Sequence, residues 1–411
     1  MEISQKMPGK TGQALSPAAI VGLAAAVVFA LSTKPVHQHF DYTLRIAGAL
    51  LHGHLGLQST PPSWLNEMVP RDGEYYSVFP LGAVLSILPI ALLQTVDAIS
   101  VFPGRAVAAV IAGFCVYFFF QLSAPAQSLA RRILLALFPI FATWMWCNLG
   151  FAGAWQIALG FALLGETGAL YFTLVRPRPL WAGAFFALAF GNRTELILVL
   201  PIFVYFWIRP LGEQVNGLAG WRQTLRHACP ALVRFSIVPV VLGLLTAAYN
   251  FARFHSIFDF GYGHIPNLLS EPWYQHGLFS LYAIPWNAYK TLFEGFESEP
   301  QFPFIQPHAF GCSIFLASPI LFLLFREGGK HRRIVWLAIA ILTFALWCHG
   351  NPGGWQFSYR YAVILLPWFF LLLLGNGPAS LSIYEISLFL VSVAINALAT
   401  YEFLWTTEIH P

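Results

Sequence analysis

The sequence predicts an all-α polytopic membrane protein, and three observations carry that prediction. Of the 411 residues, 57% are hydrophobic and only 10% are charged, where a soluble domain runs near one quarter charged. Apolar runs recur along nearly the whole chain, and two aromatic-rich polar segments interrupt them. With mean hydropathy of +0.65, so few charges cannot cover a water-soluble surface. This composition excludes a soluble globule, a disordered chain and a nucleic-acid binder.

The apolar runs lie near 14–32, 77–96, 103–123, 132–149, 151–175, 180–190, 194–208, 231–249, 310–325, 334–348, 361–374 and 382–404. The first follows Lys6 and Lys10 and reads as an uncleaved span, since roughly 20 residues cross a bilayer. The chain reads as one integral membrane domain over 1–411. The first outer loop is 33–76, a large aromatic outer loop is 250–309, and C-terminal helices occupy 310–411.

Orientation follows the positive-inside rule. Residues 209–230 carry Arg209, Arg222 and Arg226 against Glu213, and 326–333 carry Arg326, Lys330, Arg332 and Arg333 against Glu327. Both belong inside. Residues 250–309 hold five acids against Arg253 and Lys290 and belong outside with 33–76. The N-terminus is then cytoplasmic and the C-terminus external, as in a bacterial inner-membrane protein. Seven runs separate two inside segments, so one of them cannot cross. Residues 180–190 are too short alone, and reading 180–208 as one bent pass gives about eleven crossings, within a range of 10 to 13. That choice leaves Arg131, Arg132, Arg176 and Arg178 outside, against the rule; demoting 77–96 or 103–123 is the alternative.

The five cysteines, Cys115, Cys147, Cys229, Cys312 and Cys348, form no CxxC pair and read as small buried side chains. His37/His39 and His52/His54 tempt a metal reading. A spacing of two puts both rings on one face only in a strand, and the region reads helical. No metal site and no cofactor is therefore assigned.

Candidate chemistry gathers in the outer segments. Asp41 opens a short amphipathic stretch after the first span, where a partly desolvated carboxylate has a raised pKa and suits a general base; a helix N-cap is the bland reading. In RDGEYYSVFPLG, residues 71–82, Asp72-Gly73 is turn chemistry, Tyr75 and Tyr76 mark an aromatic belt, and the Glu74 carboxylate is left unexplained. Arg193 and Glu195 in GNRTE either face a polar cavity or pair with each other. Arg253 and Arg360 sit at outer span ends, where an Arg fork suits phosphate and where snorkelling arginines are common.

These passages, in this order, resemble the GT-C glycosyltransferase superfamily, in particular its protein O-mannosyltransferase and aminoarabinose transferase branch. The patches are the Asp after the first span, the DGxYYSxxPLG passage, GNRxE, YNxxRFxSxFxFGY and GGWxFxxRYxxxLLP. The resemblance implies a transferase using a polyprenyl-phosphate sugar, with an outward-facing cavity, inversion at the sugar and Asp41 as base. It implies a lipid-linked donor, an acceptor that is lipid, glycan or protein, and contact with membrane lipids or complex partners. The chain departs from many members by having Tyr42 where a second acid is common. A non-catalytic GT-C-fold subunit and a lipid-handling transporter are the rival readings.

Overall fold

The computed structural model describes residues 15–34, 40–123, 125–212, 217–300, 304–329, 331–407 and 409, with the backbone alone for 210–212 and 217–221. The described chain is mostly helical. In order it contains α1 (Pro17–Ser32), α2 (Tyr42–Leu51), β1 (Met68–Arg71), β2 (Glu74–Ser77), α3 (Leu81–Thr95), α4 (Gly104–Leu122), α5 (Leu129–Phe141), α6 (Met145–Gly150) and α7 (Ala154–Leu174). Then come α8 (Pro179–Asn192), α9 (Leu200–Gly212), α10 (Gly217–Phe254), α11 (Ile284–Leu292), β3 (Glu297–Ser298), β4 (Ile305–Gln306), α12 (Ile314–Ala317), α13 (Arg332–Cys348), α14 (Leu366–Asn376) and α15 (Ile383–Trp405).

Among the described residues, four helical stretches are long and apolar enough to cross a membrane: α4, α7, the Arg222–Phe254 part of α10, and α15. Eleven such helices are not found. The remaining apolar runs are cut short where the backbone breaks. Arg193, at φ −135° and ψ 97°, ends α8 and starts a 3₁₀ turn over Thr194–Val199. Ser318 and Pro319 likewise separate α12 from a 3₁₀ stretch to Phe325. Proline contributes, since it removes an amide donor and sterically opposes the preceding turn.

The bundle has two distinguishable ends. At one, the Trp405 indole donates to the Ser32 carbonyl at 3.0 Å, and the Ala154 amide donates to the Phe40 carbonyl at 2.8 Å. At the other, Arg131 donates to Glu385 at 3.0 Å, Arg326 reaches the same carboxylate at 3.4 Å, and Arg132 bonds Ser123 at 2.9 Å. We refer to these as the Trp155 end and the Arg326 end.

Two sequence expectations are corrected by this geometry. The chain enters helix α3 and is back, at Gly104, at the same end of the bundle. The chain enters it from Phe79, whose ring lies 4.1 Å from that of Trp155, and leaves it for Gly104, which packs on Ala152. Both neighbours lie at the start of α7, and α3 packs along α2. Nor is 180–208 one bent pass. Phe186 of α8 meets Phe203 of α9 at 4.9 Å, so the two helices fold back on each other around 193–195. With α3 set aside and α8 and α9 counted separately, Arg131, Arg132, Arg176 and Arg178 fall at the same end as Arg326.

Small residues let the helices approach. A Cβ on Gly183 would sit 1.9 Å from the Phe235 carbonyl oxygen, and one on Gly82 would sit 2.4 Å from the Gly191 Cα. Close backbone contact at small residues is the usual way helices associate in lipid, where no hydrophobic force drives them together. Cys115, Cys147 and Cys312 are buried as expected, whereas Cys348 is half-buried and Cys229 is exposed. The segment 33–76, read as helical, contains a β-hairpin as well as α2. Its turn is Asp72-Gly73, both at positive φ (52° and 82°), as a tight two-residue hairpin turn requires.

Candidate functional site

Five chain segments converge at the Trp155 end: the start of α2 with the stretch up to Glu67, the first turn of α7, the 193–195 break, the stretch holding Tyr262 and Tyr274, and the residues flanking α13 and α14. Glu67 follows an irregular polar stretch and faces inward. Its Oε2 accepts a 2.6 Å hydrogen bond from the Trp155 indole. Its backbone amide donates to the Tyr42 hydroxyl at 3.4 Å, and that hydroxyl also meets Asn66 Oδ1 at 3.2 Å. Tyr42 and Trp155 both pack with tilted rings against Phe79, so the carboxylate is held among aromatic rings. Burial raises its pKa above the ordinary carboxylate value, and the Trp155 bond and the Arg360 charge pull the other way. A carboxyl raised in this way keeps its proton to higher pH than an ordinary carboxylate does.

Arg360 and Arg193 flank Tyr361. The Arg360 guanidinium carbon lies 5.1 Å from the Tyr361 ring centroid and that of Arg193 lies 4.7 Å away. Arg360 is 8% exposed. Its Nη2 donates to the Tyr361 hydroxyl at 3.2 Å, and its Nε is buried with no hydrogen-bond partner, an uncommon state for a buried donor. Arg193 pairs with Glu195 through Nε at 2.8 Å and Nη2 at 2.5 Å. The pairing alternative for GNRTE is thus realised, and the pair still stands against Tyr361.

His349, at the end of α13, closes the ring. Its centroid is 6.0 Å from that of Tyr361 and 6.2 Å from that of Tyr262, and Tyr262 lies 6.5 Å from Trp155. Burial pushes the His349 pKa down, opposed by the hydrogen bond to the Asn351 carbonyl and helped by the Arg193 charge. That bond, at 2.7 Å from Nδ1, places the proton on Nδ1 and leaves Nε2 as an acceptor. Burial also raises the Tyr262 hydroxyl, and Tyr274 is pushed up to about 12, so both phenols stay protonated donors.

Other sequence candidates lie elsewhere. Asp41 occupies the N-cap position of α2 without a side-chain cap bond. Its carboxylate instead accepts from Arg45 Nε at 2.8 Å and is 15% exposed, so the capping alternative is not what its side chain does. Asp41 is joined to the cluster through its neighbour Tyr42. Glu74 sits in the hairpin, 3.8 Å from His54. Tyr75 reaches Thr60 at 3.3 Å, and Tyr76 packs edge-on against Phe254.

Arg253, expected at a phosphate, is engaged by protein. It is 1% exposed, donates to the Ser77 carbonyl and to Asn250 Oδ1 at 2.8 Å, and lies 3.7 Å from the Tyr249 ring centroid. Its job in the fold is to pin the hairpin to the end of α10.

Glu67, Trp155, Tyr262, His349 and Tyr361 are members of the cluster that the sequence reading did not single out. The one local signal was an acid, Glu67, set between Leu65 and Met68-Val69. His37 and His39 lie outside the described residues. His52 and His54 turn to different partners, the Gly48 carbonyl and Gln58. Among the described residues, no three His, Cys, Asp or Glu side chains gather as a metal site. Comparison with family models, curated proteins and solved structures returns no match for this chain.

Proposed function

We propose that this protein is an integral membrane glycosyltransferase that takes a sugar from a polyprenyl-phosphate donor and delivers it to an acceptor at the outer face. The observation that carries the reading is the meeting of an apolar groove with the polar cluster. The groove, of about 340 Å³, runs between α3, α8 and α10 past Gly82, Leu85, Leu188 and Leu242. Its Ser86 receives a 2.8 Å hydrogen bond from Asn192, the residue before Arg193. A prenyl chain suits the groove, and its phosphate then falls among Arg193, Arg360 and the Tyr361 hydroxyl.

In this reading α4, α7, the Arg222–Phe254 part of α10 and α15 cross the membrane. The Arg326 end is cytoplasmic, so the basic residues lie inside. Helices α2 and α3 rest at the outer surface. The buried charges Glu166, Arg131 and Glu385 are engaged within the bundle, which favours an enzyme over a transport pathway. Glu166 accepts from the Trp368 indole at 2.5 Å, and Arg131 is held by Glu385.

The reaction is a single displacement. The acceptor oxygen or nitrogen loses its proton to a carboxylate and bonds the anomeric carbon. The anomeric carbon–oxygen bond breaks, its electron pair leaves on the phosphate, and the arginines match that charge. The resemblance assigns the base to Asp41. Glu67 stands closer to the arginines and supplies the alternative base.

Transfer from a radiolabelled polyprenyl-phosphate sugar by the purified chain decides the matter. General-base contributions are about 10²–10⁴-fold, so Asp41→Asn should lose at least about two decades. Collapse in Glu67→Gln with Asp41→Asn intact moves the base to Glu67. Transfer unchanged in both variants, or absent from the wild type, overturns the enzyme reading in favour of a non-catalytic subunit.

A further inference from the structure

A groove of about 890 Å³ opens at the Arg326 end, away from the cluster around Glu67. Its wall carries Arg209, His331, Arg332 and Arg333, with Tyr205 and Trp336 as aromatic flanks. Arg209 Nη1 and His331 Nδ1 meet at 2.6 Å, and the Arg209 guanidinium lies 5.6 Å from the Tyr205 ring centroid. Two side chains from helices far apart in sequence are thereby brought to one wall. Arg332 and Arg333 open α13, whose first turn holds no acidic residue. A helix start leaves backbone N–H groups without helical partners and bears the positive end of the dipole. No described acidic side chain pairs with Arg332 or Arg333, and Glu327, two residues before the groove's Gly329, is exposed and does not line it.

We infer that this groove binds a phosphate group, carried on an anionic lipid headgroup or free in solution. Arg332 and Arg333, adjacent at the groove and with no described acidic partner, repel each other unless an anion stands between them. Arg is the side chain whose planar fork matches phosphate oxygens. Basic pockets between membrane helices at the cytoplasmic side are places where phosphate headgroups lodge. The volume falls in the roughly 300–1,000 Å³ range of organic-ligand pockets, more than one inorganic ion fills, and Tyr205 and Trp336 are the side chains that sit at headgroup level. The inference rests on the proposed orientation, with the Arg326 end cytoplasmic, and not on the transfer chemistry.

The test uses the full chain in uncharged detergent, with dioctanoyl phosphatidylglycerol, dioctanoyl phosphatidylcholine and inorganic phosphate as probes, followed by calorimetric titration. Wild type should bind the phosphatidylglycerol at least about tenfold more tightly than the phosphatidylcholine, a difference near 1.4 kcal/mol. Arg332→Gln/Arg333→Gln should remove that preference. Arg332→Lys/Arg333→Lys, which keeps the charge, should retain part of it and stands in if the glutamine pair fails to fold. Displacement of the lipid by inorganic phosphate, with phosphate itself binding wild type over the glutamine pair, assigns free phosphate as the ligand. Lipid binding that inorganic phosphate does not displace assigns the headgroup. Equal binding of all probes to wild type and the glutamine pair, or no binding to wild type, overturns the site.

Discussion

The Glu67 carboxylate receives the indole N–H of Trp155 at 2.6 Å, although 88 residues separate the two in the chain. The contact ties the outer stretch before the hairpin to the first turn of α7. Through Phe79, which packs on Trp155, it also ties in the entry to α3. One half-buried acid is thus fixed by the aromatic group at the end from which α3 starts and to which the chain returns at Gly104.

That return makes a topological prediction. In a background where the exposed Cys229 is replaced by Ser, single cysteines at the exposed positions Ser63, Asp97 and Ser298 should react with an impermeant maleimide added to intact cells. One at Gly329 should not. Asp97 is the discriminating site, because a through-going α3 would place it inside. Protection of Asp97→Cys together with labelling of Ser63→Cys would restore 77–96 as a crossing.

The second prediction follows from the raised pKa of Glu67, whose first cause is burial. The folded state keeps a proton that the unfolded state releases. The stabilisation from this is therefore full below the ordinary carboxylate value and is lost as pH rises through the folded value. Glu67→Gln keeps an acceptor for the Trp155 indole and cannot ionise. Its stability relative to wild type should accordingly improve between pH 5 and 8, by at most about 1.4 kcal/mol per pH unit for one proton. Thermal unfolding in detergent across that range reads the difference. A gap that stays constant with pH would show that Glu67 titrates as it does in water.

Much of the architecture was legible because composition alone forces it: with 10% charged residues, helices in lipid satisfy the backbone. The count of passes was less legible. A run such as 180–208 is continuous in hydropathy, and only the extended backbone at Arg193 shows where it turns. The same residue explains why part of the site could be read, since an arginine in an apolar run marks a polar recess. Glu67 gave little such signal, for its meaning depends on Trp155 and Tyr42, neither of which is near it in sequence. Arg253 differs in the opposite way. Its motif context suggested a ligand, while its partner is the Ser77 carbonyl, 176 residues away.

Arg253 therefore supports a prediction about stability. Arg253→Ala leaves the Ser77 carbonyl and Asn250 Oδ1 without this donor, and each buried unsatisfied group costs about 1–3 kcal/mol. The variant should unfold at clearly lower temperature, and Arg253→Lys should recover part of the loss by supplying one donor. Donor affinity of the molecules that remain folded should not change. An unaltered unfolding temperature combined with lost donor binding would return Arg253 to the phosphate.

Arg360 and Arg193 carry the last prediction. Both guanidiniums lie against the Tyr361 ring, yet their positions differ. Arg193 is already paired with Glu195, so an incoming phosphate competes with a carboxylate for it. Arg360 has a buried Nε with no partner, so a phosphate there fills an unmet hydrogen bond. The two alanine variants should therefore be unequal. Arg360→Ala should weaken donor binding and slow transfer more than Arg193→Ala. Arg360→Lys should restore only part of the loss, because Lys offers charge without two parallel donors. Glu195→Gln relieves the competition at Arg193 and should tighten donor binding if the phosphate reaches that guanidinium. Donor-concentration series on monodisperse protein separate these effects, with the affinity change read from half-saturation and the charge-matching at the leaving group from turnover. Equal, small effects in Arg360→Ala and Arg193→Ala, with no change in Glu195→Gln, would mean that the two arginines serve only to hold Tyr361 and Glu195 in place.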